Sequence, residues 1–325
     1  MSVSDLAAEG PSADAPRHPL SVGVIGAGVF GGHHARKLAG HPGVRFVGVY
    51  DRDQAAARRL AEETGGAGFI TIKALFDAVE AVVIATPAVT HETLGRAALD
   101  ANCHVLMEKP LAVTRSGAEA LVDLAEARGR VLQVGHQERF AASALGLGAQ
   151  TPRPRRLEVR RVGQFSPRTA DVGVGLDLMI HDLELALALF GGPVAVQTAK
   201  GRRTRTPHWD ALTAEVWLGG GVEAWFEASR LADAAERVWV LEYDGGTTRI
   251  DFVARTVTTD GDTVAVRPDN DGAAASDPLA AATDAFVSAC QTGSVTGCSG
   301  PEGLSAVMAS LAVEQAAREP GGGND

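Results

Sequence analysis

The length, composition and charge of the chain exclude several classes of protein. Its 325 residues are too many for one ordinary doubly wound domain and too few for three, so we expect two domains. Hydrophobic residues make up 45% of the chain and charged residues 22%, which is typical of a globular protein. A formal net charge of −10 disfavours nucleic acid as a partner, and no run approaches the roughly 20 apolar residues of a membrane-spanning helix.

The first twenty residues and the cysteines indicate where the protein works. Residues 1–20 are rich in Ala, Ser and Pro and lack the basic and apolar regions of a signal peptide, so we expect a disordered leader. Cys103, Cys290 and Cys298 have no CxxC spacing, which indicates neither a disulfide framework nor a zinc site. We therefore expect a cytoplasmic protein with small-molecule partners and no bound metal.

Residues 21–135 alternate between short apolar runs and helix-like stretches. The strand candidates are residues 21–26, 44–50, 81–87, 103–109 and 130–135. The helix candidates between them are residues 32–38, 54–63, 90–101 and 116–127. Near-continuous apolar strands separated by helices are typical of a parallel sheet covered on both faces. The pattern predicts an α/β fold with an N-terminal domain of the Rossmann type, a doubly wound parallel sheet.

The pattern changes in residues 136–325. Longer runs of alternating apolar and polar residues, joined by GGG and DGG, predict a mainly antiparallel, open-faced sheet with one solvated or partner-facing side. One helix, over residues 177–190, interrupts it. Two more, at 279–290 and 301–318, end the chain, and we expect them to pack back on the Rossmann domain. The second half is therefore predicted to be an α+β domain that binds substrate.

The first glycine-rich turn carries the strongest motif. Gly26, Gly28 and Gly31 form a GxGxxG that follows a strand and opens a helix, as dinucleotide-binding turns do. Gly26 allows the tight turn, Gly28 lets the backbone approach a pyrophosphate, and Gly31 lets helix and strand pack closely. We expect the phosphates at the N-terminus of this helix, next to Val29 and Phe30.

The end of the second strand favours NAD over NADP. Asp51 stands about twenty residues beyond the last glycine of the motif, where a carboxylate accepts hydrogen bonds from the adenosine ribose. Its charge would repel a 2′-phosphate, although Arg52 beside it could pair with one. We expect NAD as the cofactor, with NADP as the alternative.

Two further loops follow strands of the predicted parallel sheet. One contains Thr86, Pro87 and His91, and the other contains Glu108 and Lys109. Open α/β sheets bind their ligands at the carboxyl ends of the strands. We therefore expect these five residues at the cofactor.

A third group of polar residues lies far downstream. Asp177 and His181 are four residues apart in a predicted helix and would share one face. With Lys109 they form an acid–base set for oxidation of a secondary alcohol. His181, whose unperturbed pKa is about 6.5, is suited to act as a general base. Asp177 would orient its imidazole or share the proton, and Lys109 would stabilise the developing alkoxide.

Taken in order, these motifs resemble those of the Gfo/Idh/MocA oxidoreductase family. The resemblance rests on the GxGxxG with Asp51, the ATPxxxH loop at 85–91, the turn Glu108-Lys109-Pro110, the DxxxHD segment at 177–182 and the helical pattern from Pro278 onward. It implies a Rossmann domain followed by an open-faced sheet used for oligomerisation, with dimers or tetramers usual. It also implies that Lys109, Asp177 and His181 occupy the positions of the family's catalytic lysine, aspartate and histidine.

A finer resemblance concerns the substrate. Residues 134–140, VGHQERF, and 177–183 resemble a bacterial branch of the family that oxidises the 3-hydroxyl of UDP-N-acetylglucosamine or its uronic acid. In that branch a sugar aminotransferase uses the product for lipid A or O-antigen, and hence for lipopolysaccharide. The resemblance implies that His136, Glu138 and Arg139 lie at the substrate.

A basic cluster follows the VGHQERF segment. Its members are Arg153, Arg155, Arg156, Arg160 and Arg161, and we expect Arg155 and Arg156 to receive a diphosphate. The alternative is a solvated strand face. Three functions remain open: a nucleotide-sugar 3-dehydrogenase, a dehydrogenase of free sugars or inositols, and a non-catalytic NAD(P)-binding sensor, which the intact catalytic set disfavours.

Overall fold

Two seven-stranded sheets organise the residues that the computed structural model describes, which are 18–167, 170–261 and 277–319. The predicted leader, residues 1–20, lies outside the described residues except for its last three. The structure is of the predicted α/β class: a parallel Rossmann-like sheet is followed by a second, mainly antiparallel one. No helix among the described residues is long and apolar enough to cross a membrane.

The first sheet forms from the apolar runs of the N-terminal half. Its strands are β1 (Leu20–Ile25), β2 (Val44–Tyr50), β3 (Ala67–Phe69), β4 (Ala81–Ile84), β5 (His104–Met107), β6 (Leu132–Val134) and β14 (Cys298–Ser299). In space they follow the order β14-β6-β5-β4-β1-β2-β3, and β1 and β4 are buried throughout. Only β14 is antiparallel to its neighbour.

Five α-helices of the N-terminal half pack on the first sheet. They are α1 (Val29–Ala39), α2 (Gln54–Thr64), α3 (Ile72–Phe76), α4 (His91–Asp100) and α5 (Arg115–Arg128). Gly65 and Gly129, both in the left-handed conformation, end α2 and α5 as the sequence predicted. The predicted strands and helices of this half are therefore confirmed, while β3 and α3 were missed.

The second sheet has the spatial order β13-β12-β11-β7-β10-β9-β8. Its strands are β7 (Arg156–Val162), β8 (Ala195–Arg202), β9 (Ala211–Leu218), β10 (Val222–Ser229), β11 (Glu236–Tyr243), β12 (Gly246–Asp251) and β13 (Thr256–Gly261). All neighbours are antiparallel except β7 and β10. The inner face of this sheet packs on a helix, α7 (Ile180–Phe190), and its outer face carries charged residues and Trp217.

The helix predicted over residues 177–190 is two elements. A π-helical turn, Gly175–Met179, precedes α7, so the residues on either side of position 180 do not follow one α-helical repeat. A short helix, α6 (Glu138–Ala144), was also missed, as were β8 and β13.

The end of the chain returns to the first sheet. Phe286 of α8 (Pro278–Thr292) is fully buried with Leu20 and Val22 of β1. The last helix, α9 (Gly300–Ala316), packs on both α5 and α7. Because β14 pairs with β6, residues 298–299 form the last strand of the first sheet. A division of the chain into two domains at residue 136 does not include this strand in the first domain.

Candidate active site

The glycine motif forms a turn with room for phosphate. Gly26 has a φ of +107°, and a Cβ on Gly31 would lie 1.8 Å from the carbonyl oxygen of Gly26. A Cβ on Gly28 would meet nothing within 4 Å, so the space above this residue is open. Gly28 begins α1 without a side-chain cap, which leaves the N–H groups of the first turn for an anion. The turn therefore fits a dinucleotide pyrophosphate.

A cavity of about 690 Å³ lies beside this turn. Six residues predicted at the cofactor line it: Gly26, Gly28, Asp51, Arg52, Thr86 and Pro87. Val29 lines an adjoining smaller cavity with His33, and Phe30 is 56% exposed next to it. The ends of β1, β2 and β4 thus meet around one space, which is large enough for part of a dinucleotide.

Asp51 is held in place from both sides of its carboxylate. Oδ2 accepts a hydrogen bond from the Ala27 N–H at 2.7 Å, and Oδ1 accepts one from the Asp53 N–H at 2.8 Å. Each carboxylate oxygen can accept a second hydrogen bond. The side chain is therefore fixed by the backbone while it keeps acceptor capacity for ribose hydroxyls.

Two residues predicted at the cofactor lie behind the loops rather than in the cavity wall. His91 is buried, with Nδ1 2.7 Å from the Pro110 carbonyl oxygen and Nε2 2.9 Å from that of Thr86. Glu108 is 2.7 Å from Nε2 of the buried His34. Burial alone would raise the pKa of Glu108, but the hydrogen bond and charge of His34 lower it. These side chains therefore connect the loops after β4 and β5 to each other and to α1.

The reactive residues of the two domains meet at Lys109 and Asp177. Lys109 Nζ donates to Oδ1 of Asp177 at 2.9 Å and to its main-chain oxygen at 2.7 Å. Both side chains are largely buried, at 17% and 7% exposed. The lysine comes from the end of β5 and the aspartate from the π-helical turn, so this contact joins the Rossmann sheet to the second domain.

Two imidazoles lie together in the same region. The rings of His136 and His181 are 5.9 Å apart and nearly perpendicular. Burial lowers the pKa of His181 well below its usual value, and Lys109 and Arg161 lower it further. Burial also lowers the pKa of His136, to about 3, with help from Arg139 and Lys109. Both rings are therefore neutral at pH 7.

The expected contact between Asp177 and His181 does not form. His181 Nδ1 and both ring nitrogens of His136 have no hydrogen-bond partner among the described residues. The reason is the π-helical turn, which breaks the α-helical repeat that would have placed positions 177 and 181 one above the other. Asp177 orients Lys109 instead.

A buried network of charges supports the helix that carries His181. Arg161 Nε donates to Asp182 Oδ2 at 2.5 Å, and Nη1 donates to Glu138 Oε1 at 3.0 Å. Trp239 Nε1 donates to Asp182 Oδ1 at 2.9 Å, and Arg237 Nη1 reaches Glu138 at 3.3 Å. We call these five residues the Arg161 network. Hydrogen bonds from strands β7 and β11 hold Asp182, which is adjacent to His181 in the chain. These contacts were not predicted from the sequence.

The remaining predicted substrate residues have protein partners. Glu138 belongs to the Arg161 network, and Arg139 pairs with Glu184 and Glu302, joining α6 to α7 and α9. Arg155 pairs with Asp244, and Arg156 with Glu158, on exposed surface. Since β7 alternates, Arg156 lies on the outer face and Arg161 on the inner face. The structure therefore does not bring Arg155 and Arg156 to the reactive residues.

Comparison with known proteins agrees with this geometry. Residues 20–136 match the model of the oxidoreductase family with an NAD-binding Rossmann fold, and residues 148–249 match the GFO/IDH/MocA C-terminal domain. The chain belongs to the Gfo/Idh/MocA oxidoreductase family. It is therefore an NAD(P)-dependent oxidoreductase with an NAD-binding Rossmann domain, and the relatives described next are dehydrogenases or ketoreductases.

The chain is similar to members of this family with different activities. It is 33% identical over 310 residues to UDP-N-acetylglucosamine 3-dehydrogenase of Acidithiobacillus ferrooxidans, covering 91% of this chain and 97% of that one. A solved structure of that enzyme matches with a TM-score of 0.82 over 93% of this chain and 98% of the other. Inositol 2-dehydrogenase 1 of Saccharopolyspora erythraea is 41% identical, but over 38% of this chain and 39% of that one. A 3-ketoreductase from Actinomadura kijaniata, at 24% identity and a TM-score of 0.78 over 93% and 99%, shares the fold.

The contrast between two neighbouring arginines gives a testable prediction. We expect Arg161→Met to lower the free energy of unfolding by about 3–5 kcal/mol, because it leaves the buried Asp182 and Glu138 without their main partner. Arg160, which also pairs with two carboxylates but on the exposed face, is the matched control. Arg160→Met should cost at most about 1 kcal/mol. Chemical denaturation measures both, and equal losses would contradict the distinction between the two faces.

Proposed function

We propose that the protein oxidises a secondary hydroxyl of a sugar with NAD, and that the substrate is the 3-hydroxyl of UDP-N-acetylglucosamine or a related UDP-sugar. The observation that carries the chemistry is the neutral His181 beside the buried pair of Lys109 and Asp177. The substrate class is supported by similarity to UDP-N-acetylglucosamine 3-dehydrogenase over nearly the whole of both chains. The product is a 3-keto sugar.

Each reactive side chain has one task in this reaction. His181, held neutral, accepts the hydroxyl proton. Lys109 places its positive charge where the alkoxide develops, and Asp177 holds the ammonium there through two acceptors. NAD, when bound, would supply the acceptor for the hydride released from the carbon. Gly28, Asp51, Thr86 and the other residues of the 690 Å³ cavity would hold the cofactor.

We expect Lys109→Ala and His181→Ala each to lower kcat by about two to four decades, because both act on charge that develops in the transition state. Cofactor affinity should change little, since the cavity beside the glycine turn remains. Steady-state kinetics and titration with NAD measure the two quantities. Full turnover by Lys109→Ala would remove the lysine from the chemistry.

The pH profile gives a separate readout for His181. A base must be neutral to act, so the acid limb of kcat/KM should lie below pH 6.5, the ordinary pKa of histidine. The charged groups around the ring are Lys109, Arg161, Arg237, and Asp182 next to it in the chain. Arg237→Met removes a positive charge, so the pKa of His181 and the acid limb should rise. Arg160→Met, on the outer face, should leave the limb in place.

Asp51 is expected to select NAD over NADP. Its fixed carboxylate accepts from the ribose 2′-hydroxyl and repels a phosphate there. Asp51→Ser should weaken NAD binding and strengthen NADP binding, as measured by calorimetry with each cofactor. If the unmodified protein binds NADP more tightly, Arg52 dominates the site and the assignment to NAD is wrong.

The nucleotide part of the substrate can be tested directly. Binding energy from a remote diphosphate and uridine positions the reacting carbon, so kcat/KM for UDP-N-acetylglucosamine should greatly exceed that for free N-acetylglucosamine. NADH formation measures both. Equal values would refute the nucleotide-sugar assignment and favour a dehydrogenase of free sugars or inositols, the class of the relatives with partial coverage.

Three further parts of the proposal concern the protein's surroundings. The outer face of the second sheet, where Trp217 is 42% exposed, supports a homodimer or homotetramer formed through the second domain. A 3-keto sugar is the substrate of an aminotransferase, which would use it for lipid A or O-antigen. A cytoplasmic location fits a free nucleotide sugar as substrate.

A further inference from the structure

The loop between β8 and β9 is fixed by one buried carboxylate. Asp210 is fully buried, and its Oδ2 accepts the N–H groups of Thr204 and Arg205 at 2.6 Å and that of Thr206 at 3.1 Å. Its Oδ1 accepts from Arg230 Nε at 2.8 Å. Such bonds favour the charged form, and they hold the pKa of Asp210 far below its usual range although burial alone would raise it. The backbone of residues 204–206 is therefore held in one conformation.

This loop presents one arginine that has no acidic partner. Arg205 is exposed, its guanidinium lies 5.5 Å from the Phe165 ring centroid, and no carboxylate of the described residues lies within 4.0 Å of it. Its neighbour Arg203, by contrast, pairs with Glu319 and stacks on Trp209. Arg205 therefore presents a positive charge without an acidic partner, on a loop whose backbone is fixed by Asp210.

A small cavity opens next to Arg205. It has a volume of about 270 Å³, and Phe165, Arg205, Arg230 and Gln164 line it together with the exposed Asp233. The cavity stands at the carboxyl ends of the parallel pair β7 and β10, which end at Val162 and Ser229. Its size suits a phosphate or diphosphate group rather than a whole sugar nucleotide.

Hydrogen bonds connect the cavity to the reactive residues. Trp209, in the same loop, accepts the Val174 N–H at 2.9 Å, and Arg230 Nη1 donates to the Val172 oxygen at 3.1 Å. Residues 172–174 lead directly into the π-helical turn that carries Asp177. On the other side, Phe165 follows Arg161 by four residues along the chain that leaves β7. The cavity is therefore connected through hydrogen bonds to the segment that leads into the turn carrying Asp177.

We propose that Arg205, held over Phe165, binds the diphosphate of the substrate. This inference rests on the proposed nucleotide-sugar function and assigns the diphosphate to a loop instead of to Arg155 and Arg156. A guanidinium matches two phosphate oxygens at once, and a loop that is already ordered loses little entropy when the ligand binds. Because Arg205 pairs with no carboxylate, no ion pair has to break first.

The test compares Arg205→Ala with two other arginines. Binding of UDP to the protein with NAD is measured by calorimetry, and KM by turnover of UDP-N-acetylglucosamine. We expect Arg205→Ala to weaken UDP and raise KM by about tenfold or more, the effect of a lost charge-assisted hydrogen bond. Arg205→Lys should recover part of the loss, because it keeps the charge without the fork.

The controls separate charge, fold and function. Arg202→Ala, an exposed arginine at the end of β8, makes the same change in net charge and should leave UDP binding unchanged, as should Arg156→Ala on the outer face. Arg205 donates to Asp210 through its backbone N–H and not through its side chain, so the melting temperature of the Arg205→Ala protein should not fall. Arg205→Gln is a second variant that removes the charge and keeps a polar side chain. Unchanged UDP binding and KM in Arg205→Ala overturn the inference, and loss of UDP binding in Arg156→Ala would return the diphosphate to the outer face. Equal use of free and UDP-linked sugar by the unmodified protein overturns the proposed function instead.

Discussion

The contact between Lys109 and Asp177 determines how the two domains can work together. One ammonium group from the end of β5 meets a carboxylate and a carbonyl of the turn before α7. Apolar packing surrounds it, because Leu176 and Ile180 of the second domain share a buried core with Leu111 of the first. A largely buried ion pair contributes little net stability unless its geometry is good, but it strongly disfavours any arrangement that separates the charges. The pair therefore favours one orientation of the first domain relative to the second.

Strand alternation explains why the run of arginines in the sequence does not form one cluster in the structure. Arg156, Arg160 and Arg161 stand within six positions, yet β7 sends the first two to the outer face and the third to the inner face. The outer ones pair with nearby glutamates of the sheet, while Arg161 is buried under α7. Which face of a strand is covered depends on the helix that packs there, and composition does not contain that information.

Much of the first domain could be predicted, because its strands are apolar throughout and its helices have glycine stops. The short β3 and α3 lack such signals, since β3 has only three residues and is mostly exposed. The pairing of Cys298 with Val134 joins residues 164 positions apart, which no local pattern reveals. For the site, Lys109 and Asp177 were found from their motifs, but their direct contact was not, because an α-helical repeat was assumed where a π-helical turn occurs.

The distribution of positive charge shows how an acidic protein can concentrate cations around one imidazole. The chain carries a net charge of −10, yet Lys109, Arg161 and Arg237 surround the imidazole of His181. Asp177 balances Lys109, Asp182 balances Arg161, and Glu138 pairs with both Arg161 and Arg237, so the site has little excess positive charge that would attract every anion. The same cations disfavour protonation of His181, so its imidazole is neutral at pH 7 but a weaker base than a free histidine, and they would stabilise an alkoxide that forms beside them. One arrangement of charges therefore keeps the imidazole neutral before the reaction and would stabilise negative charge that develops next to Lys109.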